Sequence, residues 1–337
     1  MARILVTGGA GYVGSHCVKA LAAAGHESLV FDNLLRGHRE FAKWSKFIEG
    51  DIRDAQLLDC VFASQKFDAV MHFAALAYVG ESVDDPDRYY DTNVHGTRVL
   101  LNSMVRAQVS TIVFSSSCAV YGQPDLAPIH EDTPCKPINP YGFTKYVCEQ
   151  MLQDFGKAYD VASVRLRYFN AAGAEPSAEI GEDHNPETHL IPLILDAALG
   201  LRPHIKIFGT DYPTPDGTAL RDFIHVCDLA RAHVLALEHL LQNKPSITLN
   251  VGTGHAYSVQ EVVDTVRAVT GQPVAAQPAP RRTGDPAILI ADAARANAVL
   301  GWSPTCSDLK MIIADAWRWH SQRFGFKKSR RSITEGV

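Results

Sequence analysis

What this sequence lacks narrows it first. Its seven cysteines (17, 60, 118, 135, 148, 227 and 306) are scattered, odd in number and free of any C-x-x-C pair. That pattern argues against a disulfide framework and a thiolate zinc site, and fits a reducing compartment. Fourteen histidines include no H-E-x-x-H or comparable cluster, so no metal is expected. Neither sign of charge dominates: 32 Lys and Arg against 37 Asp and Glu leave a net −5, with no global field to draw nucleic acid or an anionic membrane. No apolar stretch reaches membrane-spanning length, and residues 1–7 are strand-like where a leader would place cationic, apolar and cleavage regions in series, so the expected location is the cytoplasm. Internal repeats and low-complexity tracts are missing too. The one basic run, Lys327, Lys328, Arg330 and Arg331, reads as a solvated, disordered end.

What is present points to an α/β chain. At 337 residues and 46% hydrophobic it can bury a large core. Short runs rich in Val, Ile or Phe (4–7, 28–32, 47–49, 69–73, 111–115 and 162–167) alternate with helical patterns over 11–24, 55–65, 91–108 and 141–159. Such alternation implies a Rossmann-like, doubly wound parallel sheet with right-handed crossovers. Five prolines (124, 128, 134, 137 and 140) predict a long ordered loop before Tyr141, and Asn139-Pro140 supplies an N-cap and a first-turn proline to the helix that follows. Past about residue 170, polar Gly/Pro-rich runs (175–188, 209–217 and 277–286) between short helices suggest a smaller C-terminal substrate-binding lobe, while 250–254 reads as a strand returning to the main sheet. The expected division is 1–170 for a dinucleotide-binding domain, joined again by about 220–255, and 171–337 for the lobe and tail.

Gly8, Gly11 and Gly14 follow the first strand and open a helix in a G-x-x-G-x-x-G pattern. Glycines there let the backbone turn tightly and approach a pyrophosphate, which the helix N-terminus holds. Asp32, at the end of the second strand, is placed to accept from a ribose diol and to repel a 2′-phosphate, favouring NAD over NADP; Arg36 reads as a solvated loop residue. Asp51-Ile52 is positioned for an adenine, and Phe73-Ala74-Ala75 is small where the backbone must pass the cofactor. Tyr141 and Lys145 lie one helical turn apart, so the ammonium can lower the phenol's pKa and make it a general base. Beside a dinucleotide site, such a pair suggests hydride chemistry at a carbinol carbon, with Ser117 at the end of the fifth strand bonding the substrate oxygen.

Ser117, Tyr141 and Lys145 with that glycine turn resemble the extended branch of the short-chain dehydrogenase/reductase superfamily. The strings at 7–16, 79–83, 115–122, 167–170, 207–217 and 221–226 are similar to the family of UDP-glucose/UDP-galactose 4-epimerases, from about residue 3 to about 320. The resemblance implies interconversion of UDP-glucose and UDP-galactose through a 4-keto sugar, with Tyr141, Lys145 and Ser117 catalytic. It adds Tyr12, Val13, Asn33, Asn93, Ser115 and Phe169 to the NAD set and assigns the UDP-sugar to Asn170, His189, Leu190, Lys206, Phe208, Arg221, Arg282, Asp285 and Leu289, besides Ser117 and Tyr141. It also implies a homodimer built on the 91–108 and 141–159 helices. Ala77 stands where many members carry a lysine near the cofactor phosphates, His189 replaces an asparagine, and Leu289 occupies a position that sizes the sugar pocket.

Rival readings are a 4,6-dehydratase, whose acid pair is absent because Cys118 and Ala119 follow Ser117, and a non-catalytic dinucleotide sensor, which typically loses the Tyr or Lys kept here. UDP-xylose/UDP-arabinose and UDP-N-acetylhexosamines stay open as substrates. Cys118 reads as packing, not as a nucleophile, and His225 as a structural hydrogen-bonder.

Overall fold

The computed structural model describes residues 1–124, 127–282 and 285–334, with side chains through residue 325. Its strands are β1 (Arg3–Thr7), β2 (Glu27–Asp32), β3 (Lys46–Glu49), β4 (Ala69–His72), β5 (Thr111–Ser115), β6 (Ala162–Tyr168), β7 (Asn170–Ala172), β8 (Ile205–Phe208), β9 (Leu220–Arg221), β10 (Phe223–His225), β11 (Ile247–Val251), β12 (Tyr257–Ser258), β13 (Ala276–Ala279) and β14 (Ile288–Leu289). The α-helices are α1 (Tyr12–Ala23), α2 (Ala55–Ser64), α3 (Val79–Asp84), α4 (Pro86–Tyr89), α5 (Gly96–Arg106), α6 (Pro140–Tyr159), α7 (Leu190–Ala198), α8 (Val226–Leu241), α9 (Val259–Thr270), α10 (Ala294–Leu300) and α11 (Leu309–Thr334).

Seven strands form one sheet in the order β11-β6-β5-β4-β1-β2-β3, every pair parallel. Successive side chains leave a strand on opposite faces, and the sequence uses both. Ile4, Val6, Val30, Met71 and Val113 pack on one side with residues of α1 and α8, while Leu5, Phe31, Val70 and Phe114 pack on the other with α2, α5 and α6. A sheet covered on both faces needs uniformly apolar strands, which is why those runs were readable. Fully burying one such side chain contributes roughly 1.5–3 kcal/mol, so these two layers, not any single polar contact, hold the sheet. A third apolar cluster joins α7, α9 and α11 through Ile194, Val262 and Ile312.

The six early strands fall within one residue of their expected bounds, and β11 returns to the sheet beside β6 as expected. Three expectations need correction. The 91–108 segment is not one regular helix: a π-helical turn occupies Tyr90–His95 before α5 begins. The polar 277–286 run is partly strand, because pairing with β8 overrides the weak β propensity of Ala-Gln-Pro-Ala in β13. The basic end is helical to Thr334, no proline interrupting α11. Among the described residues no helix is long and apolar enough to cross a membrane.

Strand order reverses between β1 and β4, so the loops leaving their carboxyl ends diverge and open a ligand crevice. The glycine turn and Phe73-Ala74-Ala75 are those two loops.

Candidate active site

On the β1 side, Gly8 (φ +74°) adopts a left-handed conformation, and a Cβ there would lie 2.4 Å from the Ala74 nitrogen; one on Gly14 would lie 2.2 Å from the Gly8 carbonyl. Gly11 differs, since its Cβ would meet only the Gly8 oxygen, at 3.4 Å. It N-caps α1 without a side-chain hydrogen bond, so the first-turn N–H groups of Tyr12, Val13 and Gly14 are left for a ligand. Asp32 accepts the Ala10 N–H (3.0 Å) and the Leu34 N–H (2.8 Å), which fixes its carboxylate and leaves lone pairs for a diol. Burial pushes that carboxyl above its usual range, while those two N–H groups pull it down. Asp51 is held by Arg53 (2.7 Å) and Asn33 (3.0 Å), and the guanidinium keeps it far below the ordinary carboxylate range. Arg36 is no solvated loop residue: it pairs with Glu81 (2.9 Å), donates to the Asn185 carbonyl and covers the Tyr78 ring.

Ile52, beside Asp51, is buried, and across the switch point the Phe73 ring packs on His233. Asn93, in the π-helical turn, accepts from the Leu76 N–H (2.8 Å) and donates to the Leu76 carbonyl (3.0 Å) and Thr144 (3.0 Å). Its amide therefore pins the loop carrying Ala74 and Ala75. Ala77, beyond that loop, is exposed.

Helix α6 delivers the next set. Asn139 caps it, its side chain accepting from the Gly142 N–H at 2.8 Å, with Pro140 in the first turn. Tyr141, Lys145 and Glu149 recur every fourth residue, so one buried stripe meets the carboxyl ends of β5 and β6. Lys145 donates to the Ser115 carbonyl (2.8 Å) and has N–H groups to spare; burial brings its pKa down to about 8. The Tyr141 phenol is hydrogen-bonded with Ser117, and burial raises it well above the usual tyrosine range. Desolvation is the largest cause of that rise, and the Ser117 hydrogen bond pulls against it. Ser117 also caps the short 3₁₀ turn Cys118–Tyr121 through the Ala119 N–H. Ser115 reaches the Tyr168 hydroxyl at 3.3 Å, and Phe169 is buried beside them.

The uncapped helix start, the oriented Asp32 carboxylate and the buried ammonium with unspent donors together suit a dinucleotide's pyrophosphate, adenosine ribose and nicotinamide ribose.

Beyond residue 170, β9 pairs with β14, setting Leu289 opposite Arg221. Arg221 is mostly buried and pairs with Asp285, and the Arg282 guanidinium stacks 4.1 Å from the Phe208 centroid. Lys206 is exposed on the same side of β8 as Phe208. Asn170 begins β7, its N–H on the Asp222 carbonyl (3.0 Å). His189 precedes α7 and Leu190, and its Nδ1 lies 2.5 Å from the Glu182 carboxylate, the partner its sequence position left open.

Sequence reading missed two buried anchors. Glu149 is fully buried and accepts from Ser116 (2.5 Å) and Arg167 (2.9 Å); its place four residues after Lys145 was the available signal. Asp222 gathers the Thr253 and Gly254 N–H groups and that of Ala291, tying the ends of β11 and β14 to β9; nothing in its spacing announced this. Glu182, His184, Glu187 and His189, which no sequence spacing joined, converge in the loop before α7, with one ligand atom of each within 4.8 Å of the others. Burial pushes the Cys118 thiol up to about 12, and His225 caps α8 through the Cys227 N–H.

Residues 4–252 match the NAD dependent epimerase/dehydratase family. The chain is 52% identical over 321 residues to a UDP-glucose 4-epimerase of Rhizobium meliloti (strain 1021), covering 95% of this chain and 98% of the relative. Its fold superimposes with a TM-score of 0.93 on UDP-glucose 4-epimerase from Brucella ovis in complex with NAD, at 47% identity over 95% of this chain and 99% of the other. The enzyme from Bifidobacterium longum in complex with NAD+ and UDP gives 0.92 at 39% identity, covering 96% and 99%.

Proposed function

The chain belongs to the NAD dependent epimerase/dehydratase family, and from that premise we propose that it interconverts UDP-glucose and UDP-galactose as an NAD-dependent 4-epimerase. The observation that carries this reading is the buried set of Ser117, Tyr141 and Lys145 at the carboxyl end of β5, in the same parallel sheet whose β1 leads into the uncapped glycine turn.

When bound, NAD+ supplies a hydride acceptor and donor for the sugar C4 and a positive charge beside the phenol. Tyr141 removes the 4-hydroxyl proton and later returns it, while Ser117 bonds the same oxygen and keeps it in line with the phenol. Lys145, anchored on Ser115, turns its free N–H groups to the cofactor's ribose hydroxyls. Gly8, Gly11, Tyr12, Val13 and Gly14 cradle the pyrophosphate, Asp32 and Asn33 take the adenosine ribose, and Asp51 and Ile52 border the adenine. The 4-keto sugar must turn over between hydride removal and return, so the site has to hold the nucleotide and leave the sugar loose. Arg221 and Arg282 suit the diphosphate, being permanently charged and forked, with Asp285 orienting the first and Phe208 the second. Asn170, His189, Leu190, Lys206 and Leu289 complete the UDP-sugar set. On this reading the sheet domain holds NAD and the lobe holds the UDP-sugar.

The protein is assigned to the cytoplasm, in keeping with seven free cysteines, and to a homodimer through α5 and α6. Supporting the second point, Tyr90 and Phe143 are exposed large aromatics that pair edge to face at 6.3 Å on that side.

Proton NMR of UDP-galactose with gel-filtered protein and no added cofactor tests the function. UDP-glucose is expected to appear. Turnover of UDP-pentoses or UDP-N-acetylhexosamines alone, with NAD+ supplied, would overturn the hexose assignment.

A further inference from the structure

The carboxyl end of β4 carries a histidine that the mechanism above does not use. His72 is 2% exposed, and both of its ring nitrogens are engaged: Nδ1 lies 2.7 Å from the Thr7 hydroxyl and Nε2 lies 2.9 Å from that of Thr97. The Thr97 oxygen is also 2.5 Å from the Asn93 carbonyl, a separation that two oxygens hold only with a proton between them. A hydroxyl has a single proton, so Thr97 donates to Asn93 and can only accept from His72. Nε2 therefore carries the ring's N–H, Nδ1 is an acceptor, and the Thr7 hydroxyl donates to it. Burial, reinforced by the Lys145 ammonium, brings the pKa of His72 down to about 3, which keeps the ring neutral.

The line of bonds continues past Asn93. Its side-chain amide donates to the Leu76 carbonyl and the Thr144 hydroxyl, and Thr144 in turn donates to the Tyr141 carbonyl at 2.7 Å. Thr7, His72, Asn93, Thr97 and Thr144 are each at most 2% exposed, so a buried and fully partnered line runs from the residue before Gly8 to the backbone of Tyr141. Its members differ in what else holds them. Thr7 and His72 are paired in the β1–β4 ladder and would keep their places without their side chains. The π-helical turn Tyr90–His95 and the first turn of α5 belong to no sheet, and π geometry is an interruption of the regular helix that ordinary helical bonding does not fix. The His72–Thr97 bond is their polar tie to the sheet end.

We infer that His72 is a positioning residue for hydride transfer: by holding Thr97, and with it Asn93, against the end of β4, it sets where the Ala74–Ala75 loop and Tyr141 stand relative to the glycine turn. The inference rests on the 4-epimerase reading of the site. A neutral imidazole suits this task, because it offers one donor and one acceptor on a rigid ring. Apolar side chains in place of the Thr7–His72 pair would pack beside Phe114, whose ring centroid is 5.7 Å from that of His72, with little loss of stability. What the polar tie adds is placement.

The test compares full-length wild type with His72→Gln and with the double variant Thr7→Val/His72→Leu, all at saturating NAD+. The double variant strands no buried hydroxyl, since Thr97 keeps the Asn93 carbonyl, and it should melt close to wild type. Its kcat with UDP-galactose should nevertheless fall roughly tenfold to a hundredfold at an unchanged KM, the cost of misplacing reacting groups by about 1 Å. Calorimetry should show weaker NAD+ binding as well. His72→Gln, whose amide still offers Thr97 a donor, should recover most of the lost kcat. Wild-type kcat in the folded double variant, or a folded Gln variant no better than the double, would overturn the inference. Nitrogen-15 NMR of the histidine-labelled wild type should find His72 protonated on Nε2 alone; a proton on Nδ1 would overturn the tie whether or not any variant folds. Wild type that epimerises no UDP-sugar would defeat the 4-epimerase reading, and NAD+ affinity and the tautomer, both read without sugar, would still decide the tie.

Discussion

Lys145 and Tyr141 sit one turn apart on α6 yet lean on different partners, the ammonium on the Ser115 carbonyl at 2.8 Å and the phenol on Ser117. A buried ammonium with one carbonyl partner is a cost to the fold that the site keeps for its chemistry. Lys145→Met, similar in length and apolar, should therefore gain about 1–3 kcal/mol at pH 7 while losing most epimerase turnover. Urea midpoints and NMR turnover of the two proteins check both halves; a less stable variant would contradict the desolvation argument.

That gain depends on pH with a definite sign. Burial lowers the Lys145 pKa from 10.5 to about 8 in the folded protein, so between those values the unfolded chain binds more protons and stability rises with pH. Below about 8 the penalty is present in full. The advantage of Lys145→Met over wild type should stay constant from pH 6 to 7.5 and shrink toward zero by about pH 10. Matched denaturation curves across that range measure it directly.

Glu149 and Arg167 form the most buried ion pair of the sheet domain, with Ser116 on the same carboxylate. Glu149→Gln strands a guanidinium away from water, which costs about 3–5 kcal/mol. Replacing both partners by Leu and Met removes the stranded charge, so the double variant should be far closer to wild type. Calorimetric melting of the single and double variants decides the point.

The legible parts of this molecule are those where one local rule acts alone. Runs such as Ile4-Leu5-Val6 are apolar on both faces and can be nothing but covered parallel strand, and Asn139-Pro140 is an unambiguous helix start. Tyr141 and Lys145 share a face by spacing alone. Where the answer depends on a distant partner, the pattern is silent. Ala276–Ala279 becomes strand only because β8 lies beside it, and Glu149 looks like any charged residue until Arg167 arrives from β6. Glu182, His184, Glu187 and His189 follow no helical or strand period, since a loop brings them together. The π-helical turn that aims Asn93 at Leu76 has no sequence signature of its own.

Tyr141→Phe keeps the ring that fills the space beside Leu76 and Tyr89 and removes only the hydroxyl. Fold and retained NAD should be unchanged, and turnover should fall by roughly 10²–10⁴, the usual contribution of a positioned acid–base group. Near-normal epimerisation of UDP-galactose by the folded variant would remove Tyr141 from the base role.

Gly14→Ala separates cofactor retention from substrate binding. A methyl there would lie 2.2 Å from the Gly8 carbonyl oxygen and 2.9 Å from the Gly9 Cα, so the turn must spread. A separate apolar cluster around Ile194, Val262 and Ile312 contains none of the turn residues. The variant should emerge from gel filtration without NAD, measured by enzymatic assay of the acid-released nucleotide, and should still bind UDP in calorimetry with an affinity near wild type. Loss of UDP binding together with NAD would mean that the two ligands are held cooperatively across the switch point, with the glycine turn shaping both sites.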